Sequence, residues 1–332
     1  MRRTELARRL QALWYGGSRL YLLLLPLSWL YCAAATIRRA AYEAGLLPGA
    51  SLDCKVVVIG NLVAGGAGKT PLTIAVADAL TRAGLRVGIL CSGYRGHARR
   101  WPQRVTADSD PRAVGDEAVL LAQNTGLPVV AGRDRIAAGR ALLESTPCDL
   151  IICDDGLQHY ALRRDLEIVV IDSARPRGNG ACLPAGPLRE PWRRLRHADA
   201  VVALGKPCKE ATTTMAYIST LAVALHQPQQ RRPLQDFADR PVCAVAGTGH
   251  PERFFEQLRN AGLRVEAHAY EDHHTFSEED FAFTAGRPVL MTGKDAVKCR
   301  LLPLPDAWVV PLDVDLDPDF ADWLIAAVAR EH

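Results

Sequence analysis

Residues 60–71 read Gly-Asn-Leu-Val-Ala-Gly-Gly-Ala-Gly-Lys-Thr-Pro, directly after the apolar run Val56-Val57-Val58-Ile59. Glycines in such a loop let backbone N–H groups curl around a phosphate. Lys69 is of the type that reaches the β- and γ-phosphates, and the Thr70 hydroxyl is of the type that holds Mg²⁺. A helix opening at this point adds the positive end of its dipole. Ala64, Gly65, Gly66, Ala67, Gly68, Lys69, Thr70 and Pro71 are therefore the candidate ATP-binding residues. Three further segments carry carboxylates or imidazoles that phosphoryl transfer can use. Asp154-Asp155 closes the buried run Leu150-Ile151-Ile152-Cys153, where a P-loop protein keeps a carboxylate for Mg²⁺. Neighbouring side chains on a strand point to opposite sides, so one of the two faces the metal. Asp116-Glu117 follows Gly115 at an expected helix start, where a carboxylate either caps the helix or accepts the proton of an attacking hydroxyl. His273 and His274 sit in a loop of the second half, as solvated loop residues or as partners of that chemistry.

The strict pattern G-x-x-x-x-G-K-[ST] asks for glycine at position 63, where this chain has Val63. The Gly-Gly-Ala-Gly-Lys-Thr form resembles the variant loops of the partitioning-ATPase branch. An alternative reading is thus a membrane-surface regulatory ATPase of that type. Those proteins carry a signature lysine before the glycine pair, however, and Ala64 stands there.

Strands alternating with helices must position these groups. The sequence predicts helices over 71–83, 116–123 and 134–144, and strands over 86–91, 128–131, 149–153, 167–172 and 199–204. That rhythm implies right-handed βαβ units on a mostly parallel sheet, which binds ligands at the carboxyl ends of its strands. Residues 205–240 break the rhythm and read as a linker. A second α/β pattern follows: strands over 242–246, 264–269, 288–291 and 308–312, and helices over 251–260, 278–284 and 319–329.

The N-terminus differs in kind. Leu20 to Ala35 is almost wholly apolar, with Trp14, Tyr15, Tyr21, Trp29 and Tyr31 in or beside it. Arg2, Arg3, Arg8, Arg9 and Arg19 precede it, and Arg38 and Arg39 follow. The run is short for a full span, which takes about 20 apolar residues, and Pro26 would kink it. Aromatic residues and flanking arginines suit a helix seated in the headgroup boundary of an anionic leaflet. A packed core helix and a cleaved signal are the competing readings. A soluble small-molecule kinase would follow from the first of these.

The chain has 332 residues, is 48% hydrophobic and 23% charged, and carries a net charge of +3. That is room for two domains, and the charge does not point to nucleic acid. Its nine cysteines are scattered without a C-x-x-C pair, which fits a reduced compartment better than a disulfide framework or zinc site.

Taken together, these segments resemble the tetraacyldisaccharide 4′-kinase (lipid A 4′-kinase) family. The likeness rests on the P-loop, on Val114-Gly115-Asp116-Glu117, on Asp154-Asp155-Gly156-Leu157-Gln158-His159, on Leu183 to Pro191, on Asp272-His273-His274 and on Lys294-Asp295-Ala296-Val297-Lys298. The chain departs from the family at Ser92, where an arginine is usual, at His250, where the turn is usually G-N-P, and at Gly293, which replaces a glutamate. The resemblance implies an α/β fold: a P-loop NTPase-like parallel-sheet domain, a second, smaller α/β/α domain, and an N-terminal membrane-associated helix. The divisions expected are 1–45 for the helical segment, 46–208 for the kinase domain, 209–240 for a β linker and 241–332 for the C-terminal domain. It implies transfer of the ATP γ-phosphoryl group to the 4′-hydroxyl of tetraacyldisaccharide 1-phosphate, at the cytoplasmic face of the inner membrane, with ATP and Mg²⁺ and no obligate protein partner. Residue by residue, Lys69 and Thr70 hold phosphate and Mg²⁺. Glu117 and Asp155 support the metal. Asp116 is similar to the catalytic base, with His273 from the second domain as its partner. Arg135, Gln158, His159 and Arg189 are carried over as substrate contacts.

Overall fold

A computed structural model describes residues 10–330; Arg2, Arg3, Arg8 and Arg9 lie outside them. A 3₁₀ turn, Arg19–Leu24, leads into helix α1 (Leu25–Glu43). The first α/β array then runs β1 (Lys55–Gly60), α2 (Lys69–Arg82), β2 (Val87–Cys91), β3 (Gln103–Val105), α3 (Pro111–Val114), α4 (Asp116–Thr125), β4 (Val129–Ala131), α5 (Arg135–Ser145), β5 (Leu150–Asp154), β6 (Leu166–Asp172) and β7 (Ala200–Leu204). It continues through β8 (Thr213–Ile218), β9 (Leu221–Ala224), β10 (Arg231–Pro233), β11 (Val242–Ala246), α6 (Pro251–Asn260) and β12 (Val265–Ala269). The last elements are β13 (Val289–Thr292), α7 (Gly293–Cys299), β14 (Ala307–Val310), β15 (Asp313–Leu316) and α8 (Pro318–Ala329).

Two sheets result. The larger has nine strands in the order β15-β8-β7-β6-β1-β5-β2-β4-β3. All neighbours from β8 to β4 are parallel, and the two edge strands run antiparallel. The smaller has six strands, β10-β9-β14-β13-β11-β12, parallel from β14 to β12. β1 lies at the centre of the larger sheet because Val56 to Ile59 are apolar on both faces, as a doubly covered parallel strand must be. Each such fully buried aliphatic side chain contributes about 1.5–3 kcal/mol. The glycine loop therefore starts from one of the best anchored strands of the fold. Helix α2 buries Leu72, Val76 and Leu80, at i, i+4 and i+8, against one face of that sheet.

The chain crosses between the sheets twice. The segment expected as a linker supplies β8 to the larger sheet and β9 and β10 to the smaller. Residues 313–329, which the sequence reading places with the C-terminal domain, return to the larger sheet instead. β15 pairs with β8, and α8 buries Phe320, Leu324 and Val328 in the core beneath α2 and α4. The cause is visible in α8, whose apolar face needs a partner and finds it there. Residues 278–284, expected as an α-helix, form a 3₁₀ turn, and α7 was not expected at all.

Candidate active site

The P-loop lies between the carboxyl end of β1 and α2. Gly68 precedes α2 with φ +87°, and a Cβ there would meet the Tyr217 hydroxyl at 2.7 Å, so glycine is required on both counts. No side chain caps α2, which leaves its first N–H groups directed at the loop. The start of the loop is braced from outside. Ala64 N–H donates to Pro187 O at 2.8 Å, and Arg189 N–H donates to Leu62 O at 2.7 Å. The Leu183–Pro191 block is thus a splint for the P-loop.

Lys69 donates to Asn61 Oδ1 at 3.3 Å and sits 3.6 Å from Asp155 Oδ1. Thr70 Oγ1 donates to Asp154 Oδ2 at 3.2 Å, and Thr73 Oγ1 to Asp154 Oδ1 at 2.8 Å. The carboxylate beside the Thr70 hydroxyl is therefore that of Asp154, whereas the family likeness assigned the metal to Asp155. Asp155 has left-handed backbone (φ +50°), and its carboxylate meets Arg189 Nη1 at 3.0 Å. Burial pushes its carboxyl up, but Lys69 and Arg189 outweigh this and hold it below the ordinary range. Asp154 behaves oppositely. Burial first, then the nearby Glu117, push it up to about 6. Thr70 and Glu117 line the cavity, and Asp154 is buried behind the Thr70 hydroxyl, near enough for the Glu117 charge to bear on it; a hydroxyl and two carboxylates are donors of the kind a hard divalent cation takes. These three residues fit Mg²⁺.

Arg189 also donates to Gln158 Oε1 at 3.3 Å, and Gln158 Nε2 donates to Glu190 Oε1 at 3.0 Å. Arg135 is 2% exposed and donates through Nη1 to Gly132 O, while its Nε and Nη2 have no hydrogen-bond partner among the described residues. A buried guanidinium with free donors on a cavity wall suits an anionic ligand. Burial, then Arg135, pull His159 down to about 4, so it is a neutral imidazole at pH 7.

The second sheet closes the other side. Asp116 opens α4 after Gly115, and its Oδ2 lies 2.8 Å from Nδ1 of His273. Burial pushes the Asp116 carboxyl up, yet the His273 hydrogen bond and the Lys294 charge hold it below the ordinary value. The Tyr94 ring lies edge-on to His273 at 5.4 Å, and Arg95 donates to Asp272 O at 3.2 Å. His274 is apart from this dyad, 3.2 Å from Asp280. One cavity of about 1000 Å³ is bounded by the P-loop from Gly65 to Pro71, by Glu117, Asp155, Arg135 and His159, and by His273 and Lys294. Ala64 is half-buried and is not among the residues that line it. The cavity also reaches Tyr31 of α1. Sequence reasoning quoted Asn61 and Lys294 within motifs without giving them roles, and it left Tyr31 in the apolar helix.

The arrangement can hold a nucleotide triphosphate, neutralise its phosphates and offer a carboxylate to a hydroxyl. Comparison with known proteins agrees. A family model described as tetraacyldisaccharide-1-P 4′-kinase matches residues 20–329. A tetraacyldisaccharide 4′-kinase of Nitrosococcus oceani is 50% identical over 318 residues, covering 96% of this chain and 93% of that protein. The enzyme of the same name from Methylobacillus flagellatus is 46% identical over 325 residues, covering 98% and 97%. Among solved structures, LpxK from Aquifex aeolicus in complex with ATP superposes with a TM-score of 0.78 at 30% identity, covering 94% of this chain and all of that one.

Proposed function

Because the chain belongs to the tetraacyldisaccharide-1-phosphate 4′-kinase family, we infer that it transfers the γ-phosphoryl group of ATP to the 4′-hydroxyl of tetraacyldisaccharide 1-phosphate, forming lipid IVA in lipid A biosynthesis. It is a kinase and an ATP-binding protein, and the partitioning-ATPase alternative falls. The observation that carries the reading is the cavity shared by the P-loop, Tyr31 of the apolar helix and His273, whose ring holds the buried Asp116 carboxylate at 2.8 Å. A phosphate donor, a hydroxyl acceptor and an acyl-chain route need to meet in one place, and this cavity borders on all three.

In the proposed mechanism the α2 N-terminus and Lys69 bind the β- and γ-phosphates. Thr70, Asp154 and Glu117 would hold Mg²⁺, which when bound neutralises phosphate charge. Asp155 and Arg189 set the Lys69 side chain. Asp116 accepts the proton of the 4′-hydroxyl; phosphoryl transfer passes through a loose transition state, so a weakly basic carboxylate suffices. Arg135 offers its free Nε and Nη2 to an anionic group of the ligands, with Gln158 and His159 beside it.

We place the enzyme at the cytoplasmic face of the inner membrane through its N-terminus. The segment Arg19–Glu43 is apolar enough to enter a membrane and only 6% of its most apolar window is buried. Leu20, Leu23, Leu27, Trp29 and Leu30 are all more than half exposed, which leaves a bare apolar face on a protein of otherwise ordinary surface.

The direct test is to incubate the protein with Mg·ATP and the disaccharide 1-phosphate and to look for the 4′-phosphorylated product. Product with the parent chain and none with Lys69→Ala is the expected result. Product formed by Lys69→Ala at the parent rate would overturn the P-loop assignment.

A further inference from the structure

Lys294 stands at the first turn of α7, in the second sheet's layer, and its ammonium reaches into the dyad. It donates to Asp272 Oδ1 at 3.0 Å, to Glu117 Oε1 at 3.3 Å and to His273 Nε2 at 3.3 Å, and it lies 4.0 Å from Asp116 Oδ2. Three carboxylates, of Asp116, Glu117 and Asp272, lie within 4.0 Å of its Nζ, which is the setting of an ammonium.

An ammonium has three donors and no acceptor. The His273 nitrogen facing it must therefore present a lone pair, and the proton of the neutral ring sits on Nδ1. There it is donated to Asp116 Oδ2 across 2.8 Å. We propose that Lys294 is a positioning residue that fixes His273 in its Nδ1–H tautomer and thereby keeps the ring's proton on the Asp116 side of the dyad.

The inference rests on the reading that the dyad is the base of the kinase reaction, and it names the residue that orients the dyad's imidazole. Lys294 faces Nε2 at 3.3 Å, nearer than Asp272 Oδ2 at 3.6 Å, and Asp272 is itself paired with Lys294, so His273 has no free lone pair. Asp116 keeps spare acceptor capacity, since Oδ1 takes only the Glu117 N–H at 3.0 Å. As the sugar oxygen bonds to the γ-phosphorus, its proton passes to Asp116. The bridging P–O bond breaks, and its electron pair leaves on ADP. His273 donates one hydrogen bond throughout and supports the carboxylate without exchanging a proton.

The test uses the full chain with ¹⁵N-labelled histidine, its His273 resonances assigned by comparison with His273→Gln. The parent spectrum is expected to show a protonated Nδ1 and an unprotonated Nε2. In Lys294→Met the ring should move to Nε2–H or a mixture, with kcat falling roughly 100-fold and KM for ATP little changed, the pattern of lost alignment. Lys294→Arg, which keeps a cation, should recover part of kcat and the parent tautomer. Nε2–H in the parent spectrum would overturn the inference even if Lys294→Met failed to fold. An unaltered tautomer and kcat in folded Lys294→Met would do the same. Asp116→Asn separates the two readings. If it keeps the parent kcat, the dyad is not the base. If it loses kcat while Lys294→Met does not, the base stands and only the role of Lys294 falls.

Discussion

At the scale of single residues, the adjacent pair Asp154 and Asp155 shows how one peptide step divides two roles. Asp154 is the last residue of β5 and turns beneath the P-loop onto Thr70 and Thr73. Asp155 leaves the strand with φ +50° and turns to Lys69 and Arg189. Asp155 accordingly answers to two cationic side chains, and Asp154 to two hydroxyls. Asp154→Asn should raise the Mg²⁺ concentration needed for half-maximal kinase activity roughly 10- to 100-fold, and Asp155→Asn, whose carboxylate is spent on Lys69 and Arg189, should raise it by less. Titrating activity with Mg²⁺ at saturating ATP measures both, and the reverse order would return the metal to Asp155. The motif Asp154-Asp155-Gly156 made the location legible in the sequence. Which aspartate faced which partner was not legible, because alternation at a strand end depends on a backbone angle that the residue types leave open. Lys294 was hidden for another reason. Its partners Glu117 and His273 are 177 and 21 residues away, and no local pattern records a contact of that length.

At the scale of elements, the parts with strong periodicity were the readable ones. β1, β2, β5, β6 and β7 are runs of buried aliphatics, and α2 has clean i, i+4 spacing, so the parallel sheet and the loop at its edge follow from the sequence. β3, β10 and β15 are three or four residues long, β10 exposed throughout and the other two mixed, and they form only because a neighbour offers a ladder. The joint between α3 and α4 is the element-scale device that aims Asp116. Gly115 there has φ +93° and ψ 144°, and a Cβ would lie 2.7 Å from the backbone oxygen of Tyr94. Backbone in that region is nearly reserved for glycine, and the obstacle is main chain that cannot swing aside. Gly115→Ala should therefore cost about 1–3 kcal/mol of stability and shift Asp116 away from His273. Thermal melting together with kcat would register it, and a variant with unchanged melting and kcat would show that the joint is not strained.

At the scale of the whole molecule, the N-terminal segment is both an exposed apolar surface and a structural strut. Ser28 donates to Cys182 O at 2.7 Å, Trp14 Nε1 donates to Pro184 O at 3.0 Å, and Asn179 N–H donates to Trp14 O at 3.0 Å. All three bonds reach the segment around the Leu183–Pro191 block that splints the P-loop. Removing the segment would disturb the nucleotide site along with any lipid contact, so a deletion cannot separate the two. Substitution on the outward face can. Leu23, Leu27 and Leu30 are 79%, 55% and 69% exposed and take no part in those three bonds. Each buries an isobutyl group when it enters an acyl layer, worth about 1.5–3 kcal/mol apiece. The triple change Leu23→Gln, Leu27→Gln and Leu30→Gln should thus abolish co-sedimentation with anionic phospholipid vesicles while ATP affinity and melting temperature stay at parent values. The acceptor is itself carried by acyl chains, so phosphorylation of the vesicle-borne disaccharide should fall in step with binding. Dispersing the same acceptor in detergent should restore the rate, since the surface then no longer has to be found. Vesicle binding that survives the three substitutions would assign the membrane contact to another face of the protein.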